Sequence, residues 1–153
     1  MRRFNYLLLF LSALLLIKGC GKPYTVGQLF INNNTGEILY LESYIVSHLS
    51  EEPILHNLQP GESCELARTK KHSGYIDEFD ISEFVNNTDA TIKIYSLNQY
   101  GDKTIVAQWE YTDRSNNSKS IFNLSELDYS NYYDPDGGYH PTYTFVLLPE
   151  DLE

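Results

Sequence analysis

Cysteine is scarce. Cys20 and Cys64 are the only two, so the chain can form at most one disulfide and no multi-bridge framework. Basic residues are scarce as well, with 11 Lys and Arg against 21 Asp and Glu and a formal net charge of −10. A surface of that sign repels phosphate backbones and anionic membranes, which argues against nucleic acid as a partner. No apolar run is long enough to span a bilayer as a helix. His48, His56, His72 and His140 never fall at metal-ligand spacing. There is no Gly-x-Ser-x-Gly elbow and no glycine-rich phosphate loop. From these absences no enzyme is expected, and no catalytic residue, metal or cofactor is predicted.

What is present begins with an address. Arg2 and Arg3 precede an apolar stretch from Tyr6 to Ile17, and Gly19 supplies a small residue before Cys20, the pattern of a secretory signal peptide. Ile17-Lys18-Gly19-Cys20 resembles the lipobox of bacterial lipoproteins, although Lys18 stands where a small residue is usual. The resemblance implies that residues 1–19 are removed, that Cys20 is acylated, palmitate included, and becomes the mature N-terminus, and that residues 20–27 form a lipidated tether. Each buried methylene contributes about 0.8 kcal/mol, and stable anchoring takes two chains or two signals. Loss of Arg2, Arg3 and Lys18 with no acid takes the net charge from −10 to −13, so acyl chains alone would hold the membrane. The implied location is the outer membrane, facing the periplasm or the cell surface; Gly21-Lys22-Pro23 lacks the acidic cluster associated with surface export. The alternative is an ordinary cleaved signal peptide and a secreted protein in which Cys20 could pair with Cys64.

Residues 28–153 read as one all-β domain. Gln28–Asn32 and Glu37–Glu42 flank Asn33-Asn34-Thr35-Gly36, a hairpin signal because Asn and Gly tolerate positive φ. Ile54–Leu58 and Ser63–Arg68 flank Pro60-Gly61, predicted to be a type II turn and a second hairpin. Asp80-Ile81-Ser82-Glu83-Phe84 has capping-box spacing for one or two helical turns, with Asp80 capping the Glu83 amide. Ala90–Ser96 and Thr104–Tyr111 alternate with period two and are joined through Asn98–Asp102. After a mixed segment, Ile121–Leu127, a Tyr-rich loop is expected to run to Pro141 and a last strand to cover Tyr143–Leu148. About seven short strands with no long helical period predict an antiparallel, immunoglobulin-like β-sandwich, without the Cys-Trp-Cys signature of antibody domains.

Asn32–Gly36, Leu58–Ser63 and the run from Ile94-Tyr95 through Trp109-Glu110-Tyr111 to Ile121-Phe122-Asn123 resemble small Bacteroidetes-type lipoproteins of uncharacterised role. That resemblance implies a location and a fold and carries no reaction.

Tyrosine is the compositional outlier. Tyr129, Tyr132, Tyr133, Tyr139 and Tyr143 crowd beside Pro135, Gly137, Gly138 and Pro141. Exposed phenol rings can stack on a sugar or fill a pocket on a partner protein, so this segment is the candidate ligand-binding site, with Tyr132 and Tyr133 its sharpest tests. The plainer reading has the rings cover the end of the sandwich. Asp134-Pro135-Asp136-Gly137-Gly138 looks like part of a calcium loop, with Asp134 and Asp136 as weak metal candidates, but it lacks the remaining ligands and reads first as an acidic turn. Asp77, Glu78, Asp80 and Glu83 could supply the two acids of a glycoside hydrolase, the alternative function. Cys64 reads as a small core residue. Sequons at Asn33, Asn86, Asn116 and Asn123 reflect Asn-rich composition in a bacterial chain. The function expected is a membrane-anchored, non-enzymatic binding module of the cell envelope with a glycan or protein ligand.

Overall fold

The computed structural model describes residues 24–45, 52–71, 79–85, 87–113 and 119–152. Cys20 and the signal segment lie outside them. Eight strands make two four-stranded sheets. The strands are β1 (Tyr24–Asn33), β2 (Leu39–Ser43), β3 (Ile54–Leu58), β4 (Ser63–Lys71), β5 (Thr91–Leu97), β6 (Lys103–Glu110), β7 (Asp128–Tyr133) and β8 (Gly138–Leu147). The first sheet runs β4-β1-β8-β7 and the second β3-β2-β5-β6, with short 3-10 turns as the helical content of the described residues. The predicted all-β sandwich is the fold. One pairing departs from the antiparallel expectation, because β1 and β8 run parallel in the middle of the first sheet.

The core lies between the sheets and follows from period-two burial. Leu29 and Ile31 of β1 with Tyr143, Phe145 and Leu147 of β8 oppose Leu39 and Leu41 of β2, Ile92 and Ile94 of β5, and Trp109 of β6, all buried. Trp109 meets Phe145 edge-on at 4.9 Å across the two sheets, a contact worth about 0.5–1.5 kcal/mol beyond its buried area.

Two expected hairpins are instead sheet-to-sheet corners. The Asn33–Gly36 segment leads from β1 in the first sheet to β2 in the second, and Pro60-Gly61 leads from β3 in the second back to β4 in the first. Gly61 takes the expected φ of 79° and the Glu62 amide donates to the Gln59 carbonyl at 3.0 Å, so the turn forms while its flanking strands do not pair. Asn33 decides this: its buried side chain holds both corners and cannot be turned outward as a hairpin tip requires. The β5–β6 hairpin through Asn98–Asp102 forms as expected.

The first strand begins at Tyr24, inside the expected tether. Gly27 does not break it, because the missing side chain admits Phe84, Phe79 and Thr69: a Cβ there would lie 3.0–3.1 Å from all three. Asp80 caps the Ile81–Glu83 turn through Ser82, whose amide donates to Oδ1 at 2.8 Å, rather than through Glu83, whose carboxylate pairs with Lys71.

The Tyr-rich loop is a hairpin. β7 pairs antiparallel with β8 from Asp128↔Thr144 to Tyr133↔Tyr139. Pro141 therefore sits within a central strand, where no ladder amide is available from it, and the β1–β8 register accordingly breaks between Thr25↔Tyr139 and Gln28↔Thr142. The interruption is the local cost of placing a proline inside a central strand.

Candidate functional site

The β7–β8 hairpin divides its tyrosines between two faces. Tyr129, Asn131 and Tyr133 oppose Tyr143, Pro141 and Tyr139, which face the sandwich interior, whereas Tyr132 opposes His140 on the outer face. Exposure separates them further. Tyr129, Tyr132 and Tyr133 are 47%, 53% and 62% exposed, but Tyr139 and Tyr143 are 3% and 6%.

β7 is an edge strand, and its inner face meets Phe79 and the Leu124–Glu126 turn rather than a strand of the second sheet. The result is a cleft of about 570 Å³ lined, among the described residues, by Phe79, Leu124, Ser125, Leu127, Tyr129, Tyr139 and Tyr143. Its hydroxyls are ordered. Tyr143 Oη accepts from the Phe79 amide at 3.1 Å, the Tyr129 and Tyr139 hydroxyls lie 2.6 Å apart, and Asn131 Nδ2 donates to Tyr129 Oη at 3.2 Å. Tyr143 packs between Phe84 and Tyr129, and Tyr133 packs on Tyr139 at 4.8 Å. The walls are thus aromatic, uncharged and held in place, with phenol oxygens at defined positions.

The outer face carries a second arrangement. The Tyr132 ring stacks on His140 with centroids 4.4 Å apart and planes within 6°, and His140 meets Tyr24 edge-on at 6.0 Å. Lys70 Nζ lies 4.4 Å above the Tyr24 ring, so the row crosses all four strands.

Asp134 ties this row to the hairpin turn. Its Oδ1 accepts from the Asp136 and Gly138 amides at 3.0 and 2.7 Å, and its Oδ2 accepts from Tyr24 Oη at 2.5 Å and lies 2.9 Å from His140 Nε2. The Tyr24 hydroxyl, with these amides and His140, holds the Asp134 carboxyl well below the usual carboxylate range. In turn the Asp134 carboxylate pushes the Tyr24 phenol up to about 12. Asp134, a weak calcium candidate within what reads first as an acidic turn, is a turn anchor whose oxygens are already engaged, and Asp136 is exposed. No group of three or more potential metal ligands occurs among the described residues.

The other candidates are scattered. Asp80 caps a turn and Glu83 pairs with Lys71; Asp77 and Glu78 lie outside the described residues, as do His48 and His72. His56 pairs with Glu62 at 2.9 Å. Cys64 is a buried thiol whose pKa is pushed up to about 11 by burial and by Glu62 and Glu65, opposite to the depression a nucleophile needs. Asn33 spends both amide hydrogens inside the protein, on the Glu37 and Leu58 carbonyls, which makes it a structural residue and not an exposed acceptor sequon.

Sequence reasoning missed Phe79, Leu124, Ser125 and Leu127 in the cleft, and Tyr24 and His140 beside Tyr132. The first four come from segments without strong period. A signal for the hairpin itself was present: Asp134-Pro135-Asp136-Gly137 between two tyrosine-rich runs is turn chemistry flanked by strand formers. Comparison with protein-family models, with curated proteins and with solved structures found no match. The class that fold and site define is an all-β sandwich with an aromatic cleft under one edge strand.

Proposed function

We propose that this chain is a lipid-anchored, non-enzymatic binding module of the bacterial cell envelope that holds a neutral glycan in the Tyr129–Tyr139–Tyr143 cleft. The anchor rests on the lipobox-like Ile17-Lys18-Gly19-Cys20 and its resemblance to small Bacteroidetes-type lipoproteins of the outer membrane. The cleft carries the ligand class. The half-exposed Tyr129 ring offers an apolar surface to the C–H side of a sugar, over a floor of buried Tyr139 and Tyr143, and the described walls bear no charge. A strongly anionic protein disfavours an anionic ligand. No carboxylate stands among the described lining residues, so the acid pair of a glycosidase is not presented there.

Affinity electrophoresis in gels containing a soluble β-glucan, a galactomannan or a xylan tests the ligand. The wild-type protein is expected to be retarded in at least one, and Tyr129→Ala to weaken the retardation at least fivefold while keeping the melting temperature within a few degrees. Equal retardation of Tyr129→Ala would remove the cleft as the site. Capture of a basic protein that high salt releases, with no retardation by any glycan, would replace the glycan with a protein ligand. Cys20→Ser is expected to move the protein from the membrane fraction to the soluble one. An unmodified sulfur at Cys20, read by intact mass, would end the anchored reading.

A further inference from the structure

We infer that the outer face of the first sheet carries a second sugar-stacking site, separate from the cleft, in which Tyr132 is the platform and His140 and Asp134 are positioning residues. The inference shares with the cleft reading the premise of a neutral glycan, but none of the cleft's residues.

Three observations carry it. Tyr132 is more than half exposed, yet its ring is not loose: one face lies flat on His140, so the other is turned outward in a fixed orientation. His140 is itself held by Asp134, whose remaining bonds go to the turn amides and to Tyr24. An exposed aromatic ring normally loses rotamer freedom when a ligand stacks on it; here folding has already met that cost, which is the condition for affinity from a small contact. Two residues further along the strands, about 6.7 Å away, the same face presents Ser130, Thr142 and Gln28 side by side in register. These supply hydroxyls and an amide to the edge of a ring lying on Tyr132.

Charge selects the ligand. The charged groups around the platform are Asp134 and Asp136 of the turn, Asp128 four positions along β7, Lys70 over the Tyr24 ring, and Arg68 of β4, already paired to Glu65. With Arg68 paired to Glu65, carboxylates outnumber the remaining cation, which disfavours an anionic sugar and leaves an uncharged pyranose as the ligand. Because Tyr132 and Tyr133 are successive residues of one strand, the hairpin holds aromatic rings on both faces of the sheet edge, and a polymer could be gripped on either side.

The experiment uses the same gels and the full mature chain. Tyr132→Ala is expected to weaken retardation at least fivefold, Tyr132→Phe to retain it and Tyr132→Trp to increase it. His140→Ala is expected to weaken it with the melting temperature unchanged within a few degrees, and His140→Phe, which keeps a flat ring beneath Tyr132 but loses the contact to Asp134, to restore it in part; a purely structural role for His140 would lower the melting temperature in step with the retardation. If Tyr132→Ala is retarded as the wild-type protein is while Tyr129→Ala is not, the outer site is overturned and the cleft stands. If Tyr132→Ala loses retardation while Tyr129→Ala keeps it, the outer site stands and the cleft falls. Absence of wild-type retardation in every gel overturns both.

Discussion

The carboxamide of Asn33, at the end of β1, donates to the carbonyl of Leu58, at the end of β3, over 2.9 Å. The same nitrogen donates to Glu37 at 2.7 Å, and Oδ1 accepts from the amide and the hydroxyl of Thr35 at 3.1 and 2.7 Å. A single buried side chain thus joins the two sheets where the chain crosses between them. Removing it leaves buried carbonyls and an amide without partners, each costing about 1–3 kcal/mol. Asn33→Ala is expected to lower stability by about 2–4 kcal/mol, read from the urea midpoint. A loss under about 0.5 kcal/mol would show that water replaces the side chain.

Ser43 presents the opposite case. It lies on the inner face of β2 with no exposure, and its hydroxyl has no partner among the described residues. Ser43→Ala removes an unpaired polar atom and is expected to stabilise the protein by about 1 kcal/mol. A destabilised variant would reveal an internal water bonded to Oγ.

Acid should loosen the last hairpin through Asp134. Its folded pKa is depressed, so its contribution is complete above the unfolded value of about 4 and is lost as pH falls toward the folded one. Asp134→Asn is expected to melt at a lower temperature than the wild-type protein at pH 7, with the gap closing below about pH 4. Tyr24 works from the other side: raised to about 12, it contributes fully below about pH 10 and loses that contribution between 10 and 12. Tyr24→Phe should therefore flatten the alkaline limb. A gap for Asp134→Asn that stays constant from pH 7 to pH 2 would show that the carboxylate does not anchor the turn.

Cys64 should be slow. With its thiol pushed up to about 11 and its side chain buried, little thiolate exists at pH 8. Ellman's reagent is expected to react with the native protein at least a hundredfold more slowly than with the protein in urea, and Cys64→Ala to leave glycan retardation unchanged. Fast labelling of the native state would contradict the burial.

The legible parts of this fold were those whose information is local. Ile92 and Ile94 against Lys93 and Tyr95 alternate cleanly, and the β5–β6 hairpin followed from that alternation and from Asn98–Asp102. Asn33-Asn34-Thr35-Gly36 and Pro60-Gly61 were equally clear as turns but not as to which strands they join, because the same backbone bend serves a hairpin and a corner. Pro141 argued against a central strand, and the structure accepts it by breaking one stretch of the β1–β8 ladder. The tyrosines were visible as a cluster, yet their division into cleft and platform depended on the strand that the proline concealed.

By itself the sequence determined the class of the fold, the anionic surface, the signal-like N-terminal segment and the aromatic segment, since each is written in composition or in a period of a few residues. Only the tertiary structure decided that β1 runs parallel to β8, that Asn33 ties the two sheets together, and that Tyr132 faces away from Tyr129. Those outcomes depend on which distant strands lie side by side. Partners such as Tyr24 and Asp134, 110 residues apart, acquire their chemistry only when the whole sheet is assembled.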